Sequence, residues 1–290
     1  VLTFLTCLGA ISTFVISFIA GIINRPKVQY FIQSALLLFA LSIVLFYLEY
    51  VSQEAYTFFL VNVFLINGIV IIVLLVKLLF DFSKKDFYNF LLTDQFVLLL
   101  FIGAISIFLI LFSPFLASRH ILLIFPLILL VGSQLIDKVN SEINMITLYL
   151  TVALGVLIGV SDWKYADFYR TAATEIKIDT DKTVWSMGHW GWQWYSQKAG
   201  FEIYGTNTSK VEIGDYFVFP VDVAKQELLE GIEIELISSY SMQPSLLTLF
   251  SVSNSASMYS CTFKNPSWSL SKDVLDEIYI ARVIKLGDTN

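Results

Sequence analysis

The sequence contains few of the residues that build metal sites and covalent cross-links, with 2 Cys and 2 His among 290 residues. Cys7 lies in an apolar run and Cys261 lies far along the chain in a polar region, so we do not expect a disulfide between them. No Cys and His residues have the spacing of a zinc site. The sequence therefore argues against a zinc protein and against a disulfide-stabilised domain.

Charge is also scarce and is unevenly distributed. Charged residues make up 14% of the chain and hydrophobic residues 57%. Residues 1–160 hold seven Lys or Arg and seven Asp or Glu, whereas residues 161–290 hold eleven and seventeen. Because nucleic-acid binding needs a basic patch, no nucleic-acid partner is expected. The composition predicts two domains, a transmembrane helical domain over 1–160 and a soluble domain over 161–290.

Long apolar runs fill the first domain. Six of them are predicted to be transmembrane helices, because about 20 apolar residues cross a bilayer and shorter runs can be accommodated by thinning or tilt. The six predicted spans are 1–23, 30–50, 57–80, 95–117, 120–136 and 145–160. The fold class expected is a multi-spanning α-helical membrane domain followed by a small soluble α/β or α+β domain.

The cations between these spans predict the orientation. With six spans, one side of the membrane carries most of the Lys and Arg residues of the loops, and the other side carries Arg119 alone. The residues of the richer side are Arg25, Lys27, Lys84, Lys85 and Lys138. The positive-inside rule places this side in the cytoplasm. Arg119, His120 and residues 161–290 are then expected outside the cytoplasm, in a multi-pass protein of the plasma or inner membrane.

The second domain has alternating helical and strand patterns. Ser161-Asp162 is predicted to cap a new helix. Residues 190–199 are predicted to form a short helix that ends at Gly200. Another helix is predicted over 223–229. Strands are predicted over 183–187, 201–204, 216–219, 232–237, 245–252, 257–263 and 277–284.

Arg119 and His120 form the one polar break between two apolar runs, and two interpretations remain open. A guanidinium at the outer end of a helix bundle can bind a lipid phosphate in a bidentate manner. The same residue can also be an interfacial anchor that reaches the headgroups. Both interpretations require Arg119 to lie at a bilayer surface or in a protein-lined cavity.

The most unusual run of the second domain is Gly188-His189-Trp190-Gly191-Trp192-Gln193-Trp194-Tyr195. Its aromatic rings are candidates for stacking on a sugar or acceptor, for resting on the membrane surface, or for the domain core. His189 is a candidate general base or ligand, or a structural hydrogen-bonding residue. Asp162 and Asp167 are the remaining candidates for a divalent ion. No metal site is predicted from the sequence, and a divalent metal stays open as a cofactor.

Several segments together resemble a known family. The similarity covers residues 110–290. It rests on three features: an outward Arg followed by an apolar run with an internal Pro, a helix that carries Asp, Tyr and Arg, and the Gly-His-Trp-Gly run. The segments are 119–126, 167–170, 185–200, 258–259, 268–270 and 279–283. This part of the chain resembles the C-terminal half of bacterial family 39-type glycosyltransferases, which are GT-C fold membrane enzymes. It is similar to dolichyl-phosphate-mannose–protein mannosyltransferases and to the aminoarabinose transferase of lipid A.

The resemblance implies transfer of a sugar from a polyprenyl-phosphate-linked donor to an acceptor outside the cytoplasm. In this family an acidic residue of the first outward loop is the general base, and outward basic residues hold the lipid phosphate. Arg119 matches the second role by position, with His120 beside it. The acid is expected upstream of Val1, so the chain is expected to be incomplete and inactive alone.

Two other classes of function remain open on the sequence. One is a non-catalytic, membrane-anchored domain that binds a ligand outside the cytoplasm. The other is a transporter or polymerase component that handles a lipid-linked sugar. An Asp or Glu in an upstream outward loop would favour the transferase, whereas charges buried within the spans would favour a transporter.

Overall fold

A computed structural model describes the chain over residues 1–23, 26–84, 87–113, 116–221, 223–256 and 266–287, without the side chains of 23 and 26–29. The predicted strand over 257–263, Cys261 and the loop cations Arg25 and Lys85 lie outside these residues, as does the side chain of Lys27. The contacts divide the chain into two compact units. Unit 1 comprises 1–158 and 254–270, and unit 2 comprises 159–253 and 271–290.

The helices of the described residues are α1 (Leu2–Ile11), α2 (Val15–Ile23), α3 (Pro26–Tyr47), α4 (Gln53–Ser83), α5 (Phe87–Phe90), α6 (Asp94–Leu111), α7 (Ser118–Ile121), α8 (Phe125–Ile136), α9 (Ser141–Glu175) and α10 (Trp190–Lys198). The strands are β1 (Val184–Ser186), β2 (Glu202–Ile203), β3 (Tyr216–Pro220), β4 (Glu233–Met242) and β5 (Asp276–Lys285).

The apolar helices indicate a membrane-spanning protein. Among the described residues, four helices are long and apolar enough to cross a bilayer, namely α3, α4, α6 and α9. The pair α1 and α2 would make a fifth span if it crosses as one bent segment. Helix α8 has 12 residues, about 18 Å at 1.5 Å per residue, and is shorter than the hydrocarbon core of about 30 Å. The predicted count of six is therefore not confirmed.

The first predicted span is bent where a straight helix was expected. Helices α1 and α2 meet at 90°, so the regular backbone hydrogen bonding stops at the end of α1, where Ser12 N–H reaches Gly9 O only at 3.5 Å. Asn67 Nδ2 donates to Gly9 O at 2.7 Å and to Ser12 O at 3.2 Å. Trp268 Nε1 donates to Ala10 O at 2.9 Å. A break in an apolar helix is tolerated here because protein side chains satisfy the freed carbonyls.

Glycines allow the helices of unit 1 to approach closely. A Cβ atom on Gly9 would lie 1.8 Å from Phe64 O, and one on Gly68 would lie 2.0 Å from Leu5 O. A Cβ atom on Gly132 would lie 2.0 Å from Cζ of Phe18, which is fully buried. Small residues at such crossings are typical of helix packing in membranes.

Unit 2 contains a small mixed sheet with strand order β2-β1-β3-β5-β4. Strand β1 is parallel to β2 and β3, and β5 is antiparallel to β3 and β4. Trp192 and Val218 pack in a cluster with Phe168 of α9. Trp185 and Phe217 belong to a second cluster. The predicted combination of a helical membrane domain and a small soluble domain with helices and strands is consistent with this architecture.

Three predictions for local structure in the second domain are wrong. Helix α9 runs through Ser161 without a new start, because Ser161 Oγ accepts from the backbone N–H of Leu249 at 2.6 Å and caps no helix. Residues 223–229 form no helix, and residues 245–252 form no strand of the sheet. Of the described residues beyond 160, 254–256 and 266–270 belong to unit 1.

Candidate functional site

The predicted phosphate-binding residues lie on α7, a single turn of helix in unit 1. Ser118 and Ile121 are fully buried, whereas Arg119 is exposed and His120 is half-buried. The first and last residues of the turn therefore point inward, and the two between them point outward. The buried pair holds α7 against the bundle, and the guanidinium extends from it.

The imidazole of His120 is fixed by a hydrogen bond from the backbone. The N–H of Ala117 donates to His120 Nδ1 at 3.1 Å, which requires Nδ1 to be unprotonated and places the ring proton on Nε2. Burial, and secondarily the charge of Arg119, lowers the pKa of His120 below its ordinary 6.5. At neutral pH the ring is therefore a neutral group that carries its proton on Nε2.

Residues 266–270 support this turn from a distant part of the sequence. Ser118 Oγ donates to Ser267 Oγ at 2.5 Å, and both side chains are buried. Trp268 packs on the ring of Phe64 with centroids 4.8 Å apart, and Gln53 Nε2 donates to Leu270 O at 2.9 Å. We call residues 266–270 the return segment. It fixes α7 through Ser267 and the end of α1 through Trp268.

The aromatic run of unit 2 is divided by helical geometry into two groups. Trp190 and Trp194, four residues apart on α10, are 74% and 57% exposed, whereas Trp192 is 1% exposed. Tyr195 is partly buried against the same cluster as Trp192. Trp192 therefore belongs to the core of unit 2, whereas the rings of Trp190 and Trp194 lie outside it. Lys198 Nζ lies 4.6 Å from the ring centroid of Trp194, a cation–π distance.

The turn before α10 follows directly from the end of β1. Gly188 has φ of +126°, which favours glycine, and its N–H donates to Gln226 Oε1 at 2.9 Å. His189 is the half-buried N-cap residue of α10 and makes no side-chain capping bond. Trp190 has φ of +58°, a backbone conformation that costs energy for a bulky residue. The sequence run identified the residues but not this geometry.

The remaining candidates do not assemble into a metal centre. Asp162 lies within α9 and caps no helix, and Asp167 forms an ion pair with Arg170. Within the described ranges, no group of three or more His, Cys, Asp or Glu could hold a metal ion. An open hollow of about 420 Å³ in unit 2 is lined by Lys177, Lys182 and Glu202 among others. None of the predicted site residues lines it.

Sequence reasoning missed the polar residues that organise these regions. Asn67 lies in the middle of an apolar span, and that placement alone was a signal of an internal hydrogen-bonding role. Asp215 is 2% exposed and accepts from Trp185 Nε1 and the N–H of Glu212, both at 2.9 Å. No local pattern distinguished Ser267 or Gln226, because their partners are distant in sequence.

Comparisons with models of protein families, with curated proteins and with solved structures find no match to this chain.

Proposed function

We propose that the chain belongs to a membrane glycosyltransferase that moves a sugar from a polyprenyl-phosphate-linked donor to a lipid, glycan or protein acceptor outside the cytoplasm. The observation that carries the proposal is α7, a turn with a buried anchor, an exposed guanidinium and an oriented imidazole. Around it, unit 1 exposes apolar helix faces suited to a bilayer and a prenyl chain. The resemblance of residues 110–290 to family 39-type enzymes supports the same function.

The proposed chemistry gives Arg119 and His120 one shared task. The acceptor oxygen attacks the anomeric carbon, the bond from that carbon to the phosphate oxygen breaks, and the lipid phosphate departs with the bonding electrons. Arg119 stabilises the negative charge that develops on the phosphate, and the Nε2–H of His120 donates to another phosphate oxygen. A carboxylate takes the proton of the acceptor.

The course of the chain through unit 1 supports an extracytoplasmic position for Arg119. Asp81 interacts electrostatically with both Lys84 and Lys138, so the connectors that follow α4 and α8 lie at one end of unit 1. Helix α6, one of the four candidate spans, follows the connector after α4 and leads from this basic end toward the segment that carries Arg119. With the basic end in the cytoplasm, Arg119 faces outward. We propose the plasma or inner membrane as the location, with residues 161–290 outside the cytoplasm.

The decisive experiment has a binding arm and a transfer arm. The 290-residue chain in nanodiscs is titrated with polyprenyl phosphate, and the protein expressed from its full gene is assayed with a radiolabelled polyprenyl-phosphate sugar. We expect Arg119→Ala to weaken binding at least tenfold, as loss of one charge-assisted contact would, and to abolish transfer. Arg170→Ala is the matched control, because Arg170 is an exposed arginine paired with Asp167. Wild-type protein that neither binds the lipid nor transfers the sugar would refute the proposal.

A further inference from the structure

The loop that follows β4 in unit 2 exposes two adjacent leucines. Leu246 is 70% exposed and Leu247 is 44% exposed, whereas the next three residues, 248–250, are buried. The loop therefore has an apolar tip on a buried base. Exposed leucines are common on protein surfaces, so the position of this tip in the molecule decides what they mean.

Hydrogen bonds fix the base of the loop. The N–H of Ser245 donates to Thr248 Oγ1 at 2.8 Å, and the N–H of Thr248 donates to Ser245 O at 3.0 Å. The N–H of Leu249 donates to Ser161 Oγ on α9 at 2.6 Å, and both residues are buried. Backbone groups that enter an apolar medium must be paired within the protein. The turn pairs two of its own N–H groups in this way.

Contacts with α9 show in which direction the loop extends. Tyr240 of β4 donates to Glu175 at the end of α9. Tyr165, closer to the start of the helix, donates at 2.7 Å to Oδ2 of Asp276, which pairs with the last residue of β4. The loop then reaches Ser161, about 21 Å along the helix axis from Glu175 at 1.5 Å per residue. From β4 to the loop, the chain therefore runs along α9 toward the apolar part of this helix.

The apolar part of α9 ends where the loop meets it. Helix α9 is one of the candidate spans, its apolar run ends at Val160, and the next charged residues are Asp162 and Lys164. Trp163 is 65% exposed, and tryptophan is enriched at membrane–water interfaces. Ser161 lies within about 3 Å of both Val160 and Trp163 along the axis. The base of the loop is therefore level with the bilayer surface.

The composition of this part of the chain favours lipid as the neighbour of the tip. The sequence has no Asp, Glu, Lys or Arg from residue 236 to residue 263. Residues 161–290 as a whole hold eleven Lys or Arg and seventeen Asp or Glu. Charged side chains are costly at the hydrocarbon boundary, so a charge-free loop beside the end of a span suits contact with a membrane.

We propose that the tip of this loop, Leu246 and Leu247, inserts into the bilayer surface beside α9 and anchors unit 2 to the membrane. A single helix leaves a domain free to tilt, and a second contact with lipid restricts that motion. The proposal goes beyond sugar transfer. It requires neither that activity nor a particular side of the membrane.

Ile213 provides a matched control position. It is an apolar residue of unit 2 that is 58% exposed. The N–H of the next residue, Gly214, donates to Val283 O at 2.9 Å. Val283 lies seven residues after Asp276 on β5, about 24 Å along the strand at 3.4 Å per residue. Ile213 therefore lies at the end of the sheet opposite the one that leads into the loop.

The test measures the bilayer depth of single NBD fluorophores on the intact chain in phosphatidylcholine nanodiscs. Cys7→Ala and Cys261→Ser remove the native thiols, and the fluorophore is attached at Leu246→Cys or Ile213→Cys. The quencher is a nitroxide near the top of the lipid acyl chains. We expect about threefold or more stronger quenching at 246 than at 213, because interfacial apolar groups enter about 5–10 Å into the headgroup and acyl boundary.

Two results would overturn the proposal. One is equal lipid quenching at the two positions. The other is a label at 246 that aqueous iodide quenches and the lipid nitroxide does not, which is the result expected if a protein partner covers the tip.

A second variant tests the leucine side chains themselves. With the fluorophore at Leu247→Cys, we expect Leu246→Asp to reduce lipid quenching about twofold or more, because a carboxylate resists entry into the bilayer. Ile213→Asp adds the same charge to the same unit and should leave the quenching at 247 unchanged. An equal effect of the two aspartates, or no effect of Leu246→Asp, would refute insertion of the tip.

Discussion

Replacing Asn67 with Leu should destabilise unit 1 through the bend between α1 and α2. The Asn67 amide donates to Gly9 O at 2.7 Å and to Ser12 O at 3.2 Å. Both carbonyls belong to the bend, where their backbone partners are distant, with Ser12 N–H donating to Gly9 O at 3.5 Å and Val15 N–H to Ser12 O at 3.4 Å. Leucine has a similar volume and restores neither hydrogen bond.

The size of the effect follows from two opposing terms. A buried carbonyl left without a donor costs about 1–3 kcal/mol in a protein interior, while hydrogen bonds measured within membrane proteins average about 0.6 kcal/mol. Two lost bonds therefore predict a decrease in the free energy of unfolding of about 1–4 kcal/mol. Leucine is also more soluble in lipid than asparagine, which stabilises the variant. The control must therefore replace asparagine with leucine where no hydrogen bond between helices is lost.

Asn62 provides the control on the same helix. Its Nδ2 donates to Phe58 O of α4 at 2.8 Å, one turn back, so Asn62→Leu breaks no contact between helices. The assay is reversible unfolding of the intact chain from mild detergent into SDS, followed by circular dichroism. We expect a lower midpoint for Asn67→Leu and an unchanged or higher midpoint for Asn62→Leu. Equal midpoints for the two variants would refute our account of the bend.

Three further predictions concern the same unit. The pKa of His120 is lowered in the folded protein, so the unfolded chain binds a proton more readily than the folded chain. The free energy of unfolding should therefore fall as the pH drops through 6.5, and thermal melts of His120→Gln should show a weaker pH dependence. Ser267→Ala removes the buried hydrogen bond that supports α7 and should weaken polyprenyl-phosphate binding about three- to tenfold. Ser267→Thr should restore binding, and Ser133→Ala should leave it unchanged because the Ser133 hydroxyl donates within α8. Gly68→Ala places a Cβ 2.0 Å from a backbone oxygen and should cost about 1–3 kcal/mol in the SDS titration, whereas Gly103→Ala meets nothing within 4 Å and should be neutral or stabilising.

Elements set by local pattern were predicted well. Apolar runs of membrane length gave α3 and α4 within four residues of their observed ends, and α6 within six. Gly200, with φ of +95°, ends the helix that precedes it, as predicted. The strands β1, β3 and β5 also lie where the pattern indicated. In each case the information is contained in hydrophobic periodicity, chain length or the conformational freedom of glycine.

Of the candidate site, the sequence supplied the residues but not their arrangement. Arg119 and His120 stood out because cations are costly between apolar runs, yet the hydrogen bond from Ala117 that sets the tautomer of His120 was not visible. Trp190, Trp192 and Trp194 were indistinguishable as a run. Only the rotation of α10 against the sheet exposes the first and third and buries the second.

Sequence alone determined that this chain has an apolar, charge-poor part and an acidic part with alternating helices and strands, because composition and periodicity are local properties. Tertiary structure decided where the apolar helices bend, that α9 continues through Ser161, and that residues 266–270 pack in unit 1. The reason is that each of these features is satisfied by a partner far away in the sequence. Asn67 and Trp268 accommodate the bend at Ser12, and Ser267 holds the turn that carries Arg119.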